Sequence, residues 1–420
     1  MGTNASDAPH SQVIVIGAGP AGMLSAISAT IAGARVTIVE HLDRPGVKLL
    51  ATGGGRCNLT NTLDTETFMH SFGKNGRFMQ PALEEMSASR LRSFFADHNV
   101  PTVSPDGFHV YPLSNSAVSI QQALKQCCAS LGVNLLLGTE ASSLVIRDSS
   151  LAGVTTSAGE LPAASVILAT GGRSYPDLGA TGSGYALAVQ AGHTIVEPLP
   201  VLVPLFTRET WPRELSGVSL QGVHAQIDLP RLRTDGCTGD LLFTRTGVSG
   251  PVILDLSREA VPLLREHGEV PLRINLEPAT SPAVWNSRFE NWSSAHGRKS
   301  VFRLLDQHLP SSLARIILRI ADVSEETTAA GFRRSQRDAV LERLTKLPLA
   351  VTGAGGFDNA MVTRGGIRLR EVDPKTLQSR ITRGLFFAGE ILDLDGPCGG
   401  YNLQWAFSSG WLAGRSAAGK

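Results

Sequence analysis

The first forty residues carry a change of hydrophobic period. Val13 to Ile16 is a continuous apolar run, Gly17-Ala18-Gly19-Pro20-Ala21-Gly22 interrupts it, a helix-like stretch continues to Ala32, and a second apolar run from Arg35 to Val39 ends at Glu40. Strand, glycine turn, helix and strand in that order predict a βαβ unit. Val133 to Leu137, Leu144 to Ile146, Val154 to Thr156 and Val166 to Ala169 are short β-rich pieces separated by turns, as in a meander inserted into the nucleotide domain. From about Pro198 the runs alternate or are β-branched, in Val201 to Phe206, Val223 to Leu229, Asp240 to Phe243 and Pro271 to Leu276, which predicts a mostly β region. Between about 281 and 347 the period is helical: Leu313, Ile316, Ile317 and Ile320 share one face, Val340, Leu341, Leu344 and Leu347 another, and Pro310 suits a first helical turn. Glycine-rich loops return after Val351, with one strongly apolar strand from Gly384 to Ala388.

These elements predict an α/β protein in three parts. A Rossmann-type nucleotide domain takes 1–195 and 352–420, a β-rich insert takes 196–280 and 348–356, and a small helical domain takes 281–347. The length of 420 residues exceeds what one growing core accommodates. A formal net charge of +1 steers the chain neither to nucleic acid nor to an anionic membrane. The helical stretch holds a local excess of four positive charges, which a solvated helix face explains better than an RNA surface.

Cysteine usage and the ends of the chain bear on compartment. Cys57, Cys127, Cys128, Cys237 and Cys398 are odd in number and show no metal-ligand spacing, which suits reduced thiols in a cytoplasm and no metal site. Residues 1–12 are polar and lack a signal-peptide layout, and no run approaches the length of a membrane span. Met1-Gly2 with Ser6 fits the short myristoylation pattern, which recurs by accident.

The glycine fingerprint stands where its chemistry requires. Gly17 permits the tight turn, Gly19 lets backbone approach a pyrophosphate, and Gly22 lets the helix pack on the strand. The helix start offers unpaired N–H groups and about half a positive charge to that diphosphate. Glu40 is suited to accept from ribose hydroxyls and repels a 2'-phosphate: like charges about 4 Å apart cost roughly 4 kcal/mol at an effective dielectric near 20.

Two further segments favour a flavin dinucleotide over a nicotinamide one. In Gly384 to Glu390 an apolar strand delivers a carboxylate to its C-terminal end, followed by Asp393, Asp395 and Gly399-Gly400-Tyr401-Asn402-Leu403-Gln404 at the head of an apolar helix. A helix starting there aims its positive end at a flavin pyrimidine ring. Lys48 and Gly53-Gly54-Gly55-Arg56-Cys57-Asn58 supply bare backbone for a planar ring, with polar contacts beside it. Cys57, with no second cysteine close in sequence, suits a packed or ring-adjacent thiol better than a redox partner.

The stretches GGGRCNLTN, LLFTRTGVSGPVILDLS, EVDPKTLQSRITRGLFFAGEILDLDG and GGYNLQWAFSSGWLAG resemble those of a family of bacterial NAD(P)/FAD-dependent oxidoreductases that includes aminoacetone oxidase and a bile-acid steroid reductase. The likeness runs over nearly the whole chain and departs at Val47, His109 and Pro397-Cys398. It implies an FAD domain, an inserted β-barrel-like domain and a helical domain. It places Glu40, Arg56, Asn58, Thr170, Gly171, Gly389, Glu390, Asn402, Leu403 and Gln404 at flavin-contacting positions, with Ala141 near the adenine. Gly17, Ala18, Gly19, Pro20, Ala21, Gly22, His41, Lys48, Gly54, Gly55, Cys57, Ala169, Gly172, Asp393 and Gly400 complete the expected FAD-binding set.

No second dinucleotide fingerprint is present. Gly353-Ala354-Gly355-Gly356-Phe357-Asp358 lacks the third glycine, and Gly179-Ala180-Thr181-Gly182-Ser183-Gly184 follows no proper strand. The electron donor is then either the organic substrate itself or NAD(P)H visiting the flavin face transiently. The expected reaction is hydride transfer at flavin N5, with Arg56, His109 and Tyr175 as candidate catalytic residues, Tyr111 beside them, and a small-molecule substrate between the FAD and β domains. An amine oxidase, an RNA-associated flavoprotein and a non-catalytic redox module remain as alternatives.

Overall fold

A computed structural model describes residues 11–230 and 235–419. The myristoylation pattern of the first six residues lies outside them. The chain divides into two compact units, one running to Pro200 and resuming at Ala360, the other spanning Val201–Asn359.

The first unit is built on a parallel sheet. Strands β1 (Gln12–Ile16), β2 (Arg35–Val39), β3 (Asn134–Leu136), β4 (Ser165–Leu168) and β5 (Leu385–Phe387) stand in the order β5-β4-β1-β2-β3. Their central side chains are apolar and enclosed: Val13, Ile14, Val15, Ile167, Leu168 and Phe387 are fully buried. Helix α1 (Pro20–Ile31) follows β1, and helix α2 (Tyr401–Ala417) packs along it. Small residues permit the closeness: a Cβ on Gly410 would lie 2.3 Å from the Ala21 carbonyl oxygen, and one on Gly414 would lie 2.2 Å from that of Ser25. The outer two of the four β pieces expected as a meander belong to this sheet. The meander itself is Ala141–Arg147, Ser150–Thr156 and Gly159–Pro162.

The second unit is a closed six-stranded barrel in the order Leu205–Thr207, Gly247–Ser249, Cys237–Phe243, Ser219–Ile227, Val270–Asn275 and Leu347–Ala354. A helix absent from the sequence expectation, Pro251–His267, packs on it, its apolar positions Val252, Ile253, Leu256 and Ala260 buried. The helices Pro282–Ala295, Ser311–Ile320 and Arg334–Thr345 share one hydrophobic core with the barrel rather than enclosing their own, through Trp285, Phe289, Ile317 and Leu344. Leu347, expected on a helical face, opens a barrel strand, and Pro310 stands one residue before its helix. None of the described helices is long and apolar enough to cross a membrane.

Candidate active site

The site expected from the sequence is assembled in the first unit, from loops at the C-terminal ends of β1, β2, β4 and β5. At the fingerprint, protein packing alone fixes two of the glycines. Gly17 has φ +102° and a Cβ there would lie 2.6 Å from the Ala169 carbonyl oxygen; a Cβ on Gly22 would lie 1.8 Å from the Gly17 oxygen. Gly19 is different, with ordinary φ and no heavy atom within 4 Å of an added Cβ. It is glycine although nothing in the chain requires it, which fits a ligand approaching its backbone at the start of α1. Gly54 and Gly171 face equally open space.

Glu40 ends β2 with its carboxylate buried. It accepts from the Ala18 N–H at 2.6 Å and the Leu42 N–H at 3.0 Å, and His41 Nδ1 lies 3.1 Å away. Thr139 donates its N–H to the Glu40 carbonyl, which brings the start of the strand at Ala141 to this end of the site. The fingerprint, Glu40, His41 and the Ala141 strand are therefore brought together.

At the opposite end lies an ion pair that the sequence did not announce. Lys48 Nζ donates to Glu390 Oε2 and to Ser174 Oγ, both at 2.7 Å. Ser174 Oγ and the Thr363 N–H donate to Glu390 Oε1 at 2.7 and 2.8 Å. Burial raises the Glu390 carboxyl, but Lys48, Ser174 and Thr363 outweigh it and hold it below its ordinary range. Gly172 is closed against this cluster, since a Cβ there would lie 2.4 Å from Thr363 Oγ1. Asp393 is raised by burial and then by neighbouring Asp395, whose own charge is met by Arg364 at 2.9 Å.

The head of α2 is delivered through Gly399 and Gly400, and a Cβ on Gly400 would lie 2.5 Å from the Thr60 backbone. Asn402 ties down the preceding loop: its side chain donates to Gly396 O at 2.9 Å and accepts from Gly396 N at 2.8 Å. Leu403 is half-buried on the first turn. Gln404 does not face the open end. Its side chain is 1% exposed and donates to Met86 O and Ser408 Oγ, so its service is to helix packing. Thr170 Oγ1 is turned toward Gly184, whose added Cβ would lie 2.0 Å away. Gly389 is gripped by the protein from both sides, its N–H given to Ser409 Oγ and its carbonyl taken by Trp405 Nε1.

Cys57 is fully buried, and burial pushes its thiol up to about 12 against a hydrogen bond from Thr52, so it is a packed group and poorly nucleophilic. Asn58 accepts the Val110 N–H at 3.3 Å and positions the short sheet in which Asn61 pairs with His109. From that sheet a polar and aromatic platform emerges. The Arg56 guanidinium lies 4.8 Å from the Tyr111 ring centre, and the Tyr111 and His109 rings are 6.2 Å apart. A Cβ on Gly399 would lie 3.6 Å from His109 Nε2. Asp106, which sequence reading missed, meets His109 Nδ1 at 2.5 Å, and that hydrogen bond holds its carboxyl far below the usual range. Tyr175 does not join the platform: it sits half-buried with φ +57° before the turn Pro176–Leu178, its ring out of contact with His109 and Tyr111.

A family model described as HI0933-like protein Rossmann domain matches residues 11–416. The chain belongs to this family of FAD-dependent oxidoreductases. It is 33% identical over 96% of its length to 98% of the 3-dehydro-bile acid delta(4,6)-reductase of Clostridium scindens. It is 31% identical over 95% of its length to 96% of the ribosomal RNA dihydrouridine synthase of Escherichia coli. Among solved structures, a 3-ketosteroid-delta4-(5alpha)-dehydrogenase from Rhodococcus jostii matches with a TM-score of 0.52 at 16% identity, covering 99% of both chains, a likeness of fold.

The residues present fit FAD. Open backbone at Gly19, an acid at the end of β2 and an open Gly171 after β4 are what an extended dinucleotide needs. The oxidoreductase reading of the sequence and its FAD-binding Rossmann fold thus hold.

Proposed function

We propose that this oxidoreductase saturates a carbon–carbon double bond conjugated to a carbonyl in a small organic substrate, with FAD held by the fingerprint, Glu40, the open backbone at Gly54 and Gly171, and the head of α2. Two relatives carry names that converge on this chemistry. A delta(4,6)-reductase acting on a 3-dehydro acid and a synthase of dihydrouridine both saturate an alkene in conjugation with a carbonyl. Bound reduced FAD supplies one hydride at N5. The substrate then needs a proton on the adjacent carbon and a positive partner for its carbonyl oxygen.

The observation that carries the reading is the Arg56–Tyr111–His109 platform beside Gly399. Asp106 engages His109 Nδ1, which leaves Nε2 on the Gly399 side to hold the proton, and Arg56 offers a planar positive group to the carbonyl oxygen. These roles rest on placement and on the chemistry of the groups. The decisive experiment reduces the FAD-loaded protein with dithionite under argon, removes excess reductant and adds a cyclic enone. Flavin colour should return with one saturated product per flavin. An inert enone, with peroxide formed from a small amine in air, rejects the reading in favour of an oxidase.

A second reading, uridine within RNA as the alkene, is favoured by the relatives named for ribosomal RNA. It requires RNA binding that weakens steeply with salt, and dihydrouridine in the product.

A further inference from the structure

The first unit also contains a cleft of about 430 Å³ lined by Lys74, Asn75, Phe78, Arg370, Pro374 and Arg380, among others. It belongs to neither the fingerprint nor the platform. Three of its walls are cationic and none is acidic. Arg380 is partly spent on Asp373 at 3.7 Å and on the Val372 carbonyl. Among the described residues, Lys74 and Arg370 have no ion-pair partner, and both are exposed. Like charges gathered around one concavity repel one another, so the arrangement costs stability until an anion enters.

The remaining walls narrow the anion's identity. Phe78 and Pro374 offer a flat and an apolar surface to a planar base, and Asn75 offers an amide with donors and acceptor. Volume, base-sized walls and two cations that form no salt bridge among the described residues together suit a phosphorylated nucleoside better than a bare inorganic ion. The cleft also adjoins the flavin-binding machinery. Phe78 packs edge-on against Trp405 at 6.2 Å, Trp405 donates to the Gly389 carbonyl, and Lys74 is close enough to Asp393 to favour its ionised form.

We propose that this cleft binds the adenosine 2',5'-diphosphate half of NADPH, with Arg370 and Lys74 on its phosphates and the base between Phe78 and Pro374. This gives the electron donor a docking place in a chain whose only complete fingerprint serves FAD and whose Glu40 rejects a 2'-phosphate. The inference rests on the reductase reading for its physiological sense: the nicotinamide gives up a hydride, two electrons with it, and leaves as NADP+. With a solvent proton, that hydride makes the dihydroflavin which the alkene later reoxidises.

The test uses FAD-loaded full-length protein and its Arg370→Glu and Lys74→Gln variants, both at exposed positions. Calorimetric titration with 2',5'-ADP should show saturable binding to the wild type, weakened about tenfold or more in each variant, with flavin absorbance unchanged. The NADPH concentration giving half-maximal anaerobic bleaching should rise by the same factor, while reoxidation of the dithionite-reduced Arg370→Glu variant by an enone stays at the wild-type rate. No binding of 2',5'-ADP to the wild type, or equal binding to all three proteins, overturns the proposal. Variants that lose affinity for an RNA oligonucleotide but not for 2',5'-ADP overturn it in favour of an RNA contact. If the enone step fails in the wild type while the 2',5'-ADP results stand, the alkene reading falls and the nucleotide cleft does not.

Discussion

The Glu40 end of the site and the platform end are held in place by different means. At Glu40, the Ala18 and Leu42 amides already occupy both carboxylate oxygens, and Gly17 and Gly22 are locked by backbone within 3 Å of an absent Cβ. At the platform, Arg56 is exposed, lying over Tyr111 and donating to Gly53 O, and His109 is over a third exposed, tied to Asp106 and edge-on to Phe108. The first end is defined by what cannot be substituted without moving the backbone. The second is defined by solvent-accessible side chains that no comparable backbone contact locks in place.

Substitution at the fingerprint is the strongest way to break that contrast. Gly22→Ala drives a methyl into the Gly17 carbonyl, and the protein should lose both flavin and on the order of 3 kcal/mol or more of stability. Gly19→Ala has room, so the apoprotein should melt at the wild-type temperature yet retain little FAD, measured as the ratio of visible to ultraviolet absorbance. A Gly19→Ala protein that purifies fully yellow would show that no ligand approaches there.

The platform should respond in the opposite manner. His109→Ala should leave FAD content and melting temperature unchanged and slow enone-dependent reoxidation about 100-fold, the usual range for a lost general acid. Asp106→Asn should retain part of that loss and change the pH profile of the rate, because the amide no longer favours one tautomer. Wild-type rates in both variants would remove the platform from the reaction.

How much of this was legible follows the same division. Residues 13–40 declare strand, turn, helix and acid because Gly17 and Gly22 answer local steric demands and the apolar runs keep their period around them. The Lys48–Glu390 pair, 342 residues apart, was visible only as two separate flavin candidates. Its mediators are far apart in sequence: Ser174 sits in the loop two residues after Gly172, and Thr363 in the short strand Val362–Ile367, whose pattern says nothing of a buried acid. Asp106 had a signal, three residues before His109 in a turn. The direction of the Gln404 side chain, toward Met86, could not be read from its motif, since it depends on which face of α2 packs inward. The helix Pro251–His267 was hidden within a β-rich texture by Gly250 and Pro251, which start it rather than interrupt it.

The Lys48–Glu390 pair lies between the two extremes, since about a fifth of each side chain reaches the surface. Glu390→Gln leaves Lys48 facing a neutral amide and should cost roughly 1–2 kcal/mol, after allowance for solvent screening. Because the folded carboxyl is depressed, its contribution is present above its unfolded value of about 4.3 and is lost as pH falls through the folded value. Denaturant titrations should therefore show the two proteins diverging at pH 7 and converging in acid; a constant gap would exclude the ion pair as its source.

The smallest expected effect lies behind the sheet. His193 is buried, its Nε2 is 2.7 Å from Ser379 Oγ, and Glu371 lies 3.4 Å from Nδ1. Burial lowers its basicity, and the attraction of Glu371 only partly offsets this, so the folded protein holds it neutral below the pH at which an unfolded chain protonates it. The unfolded state then binds more protons below about pH 6.5, and stability must rise with pH across that window. His193→Asn should flatten the rise between pH 5 and 7 while leaving flavin content and both half-reactions intact. If the slope is the same with and without the imidazole, the pH dependence in that window belongs to another group.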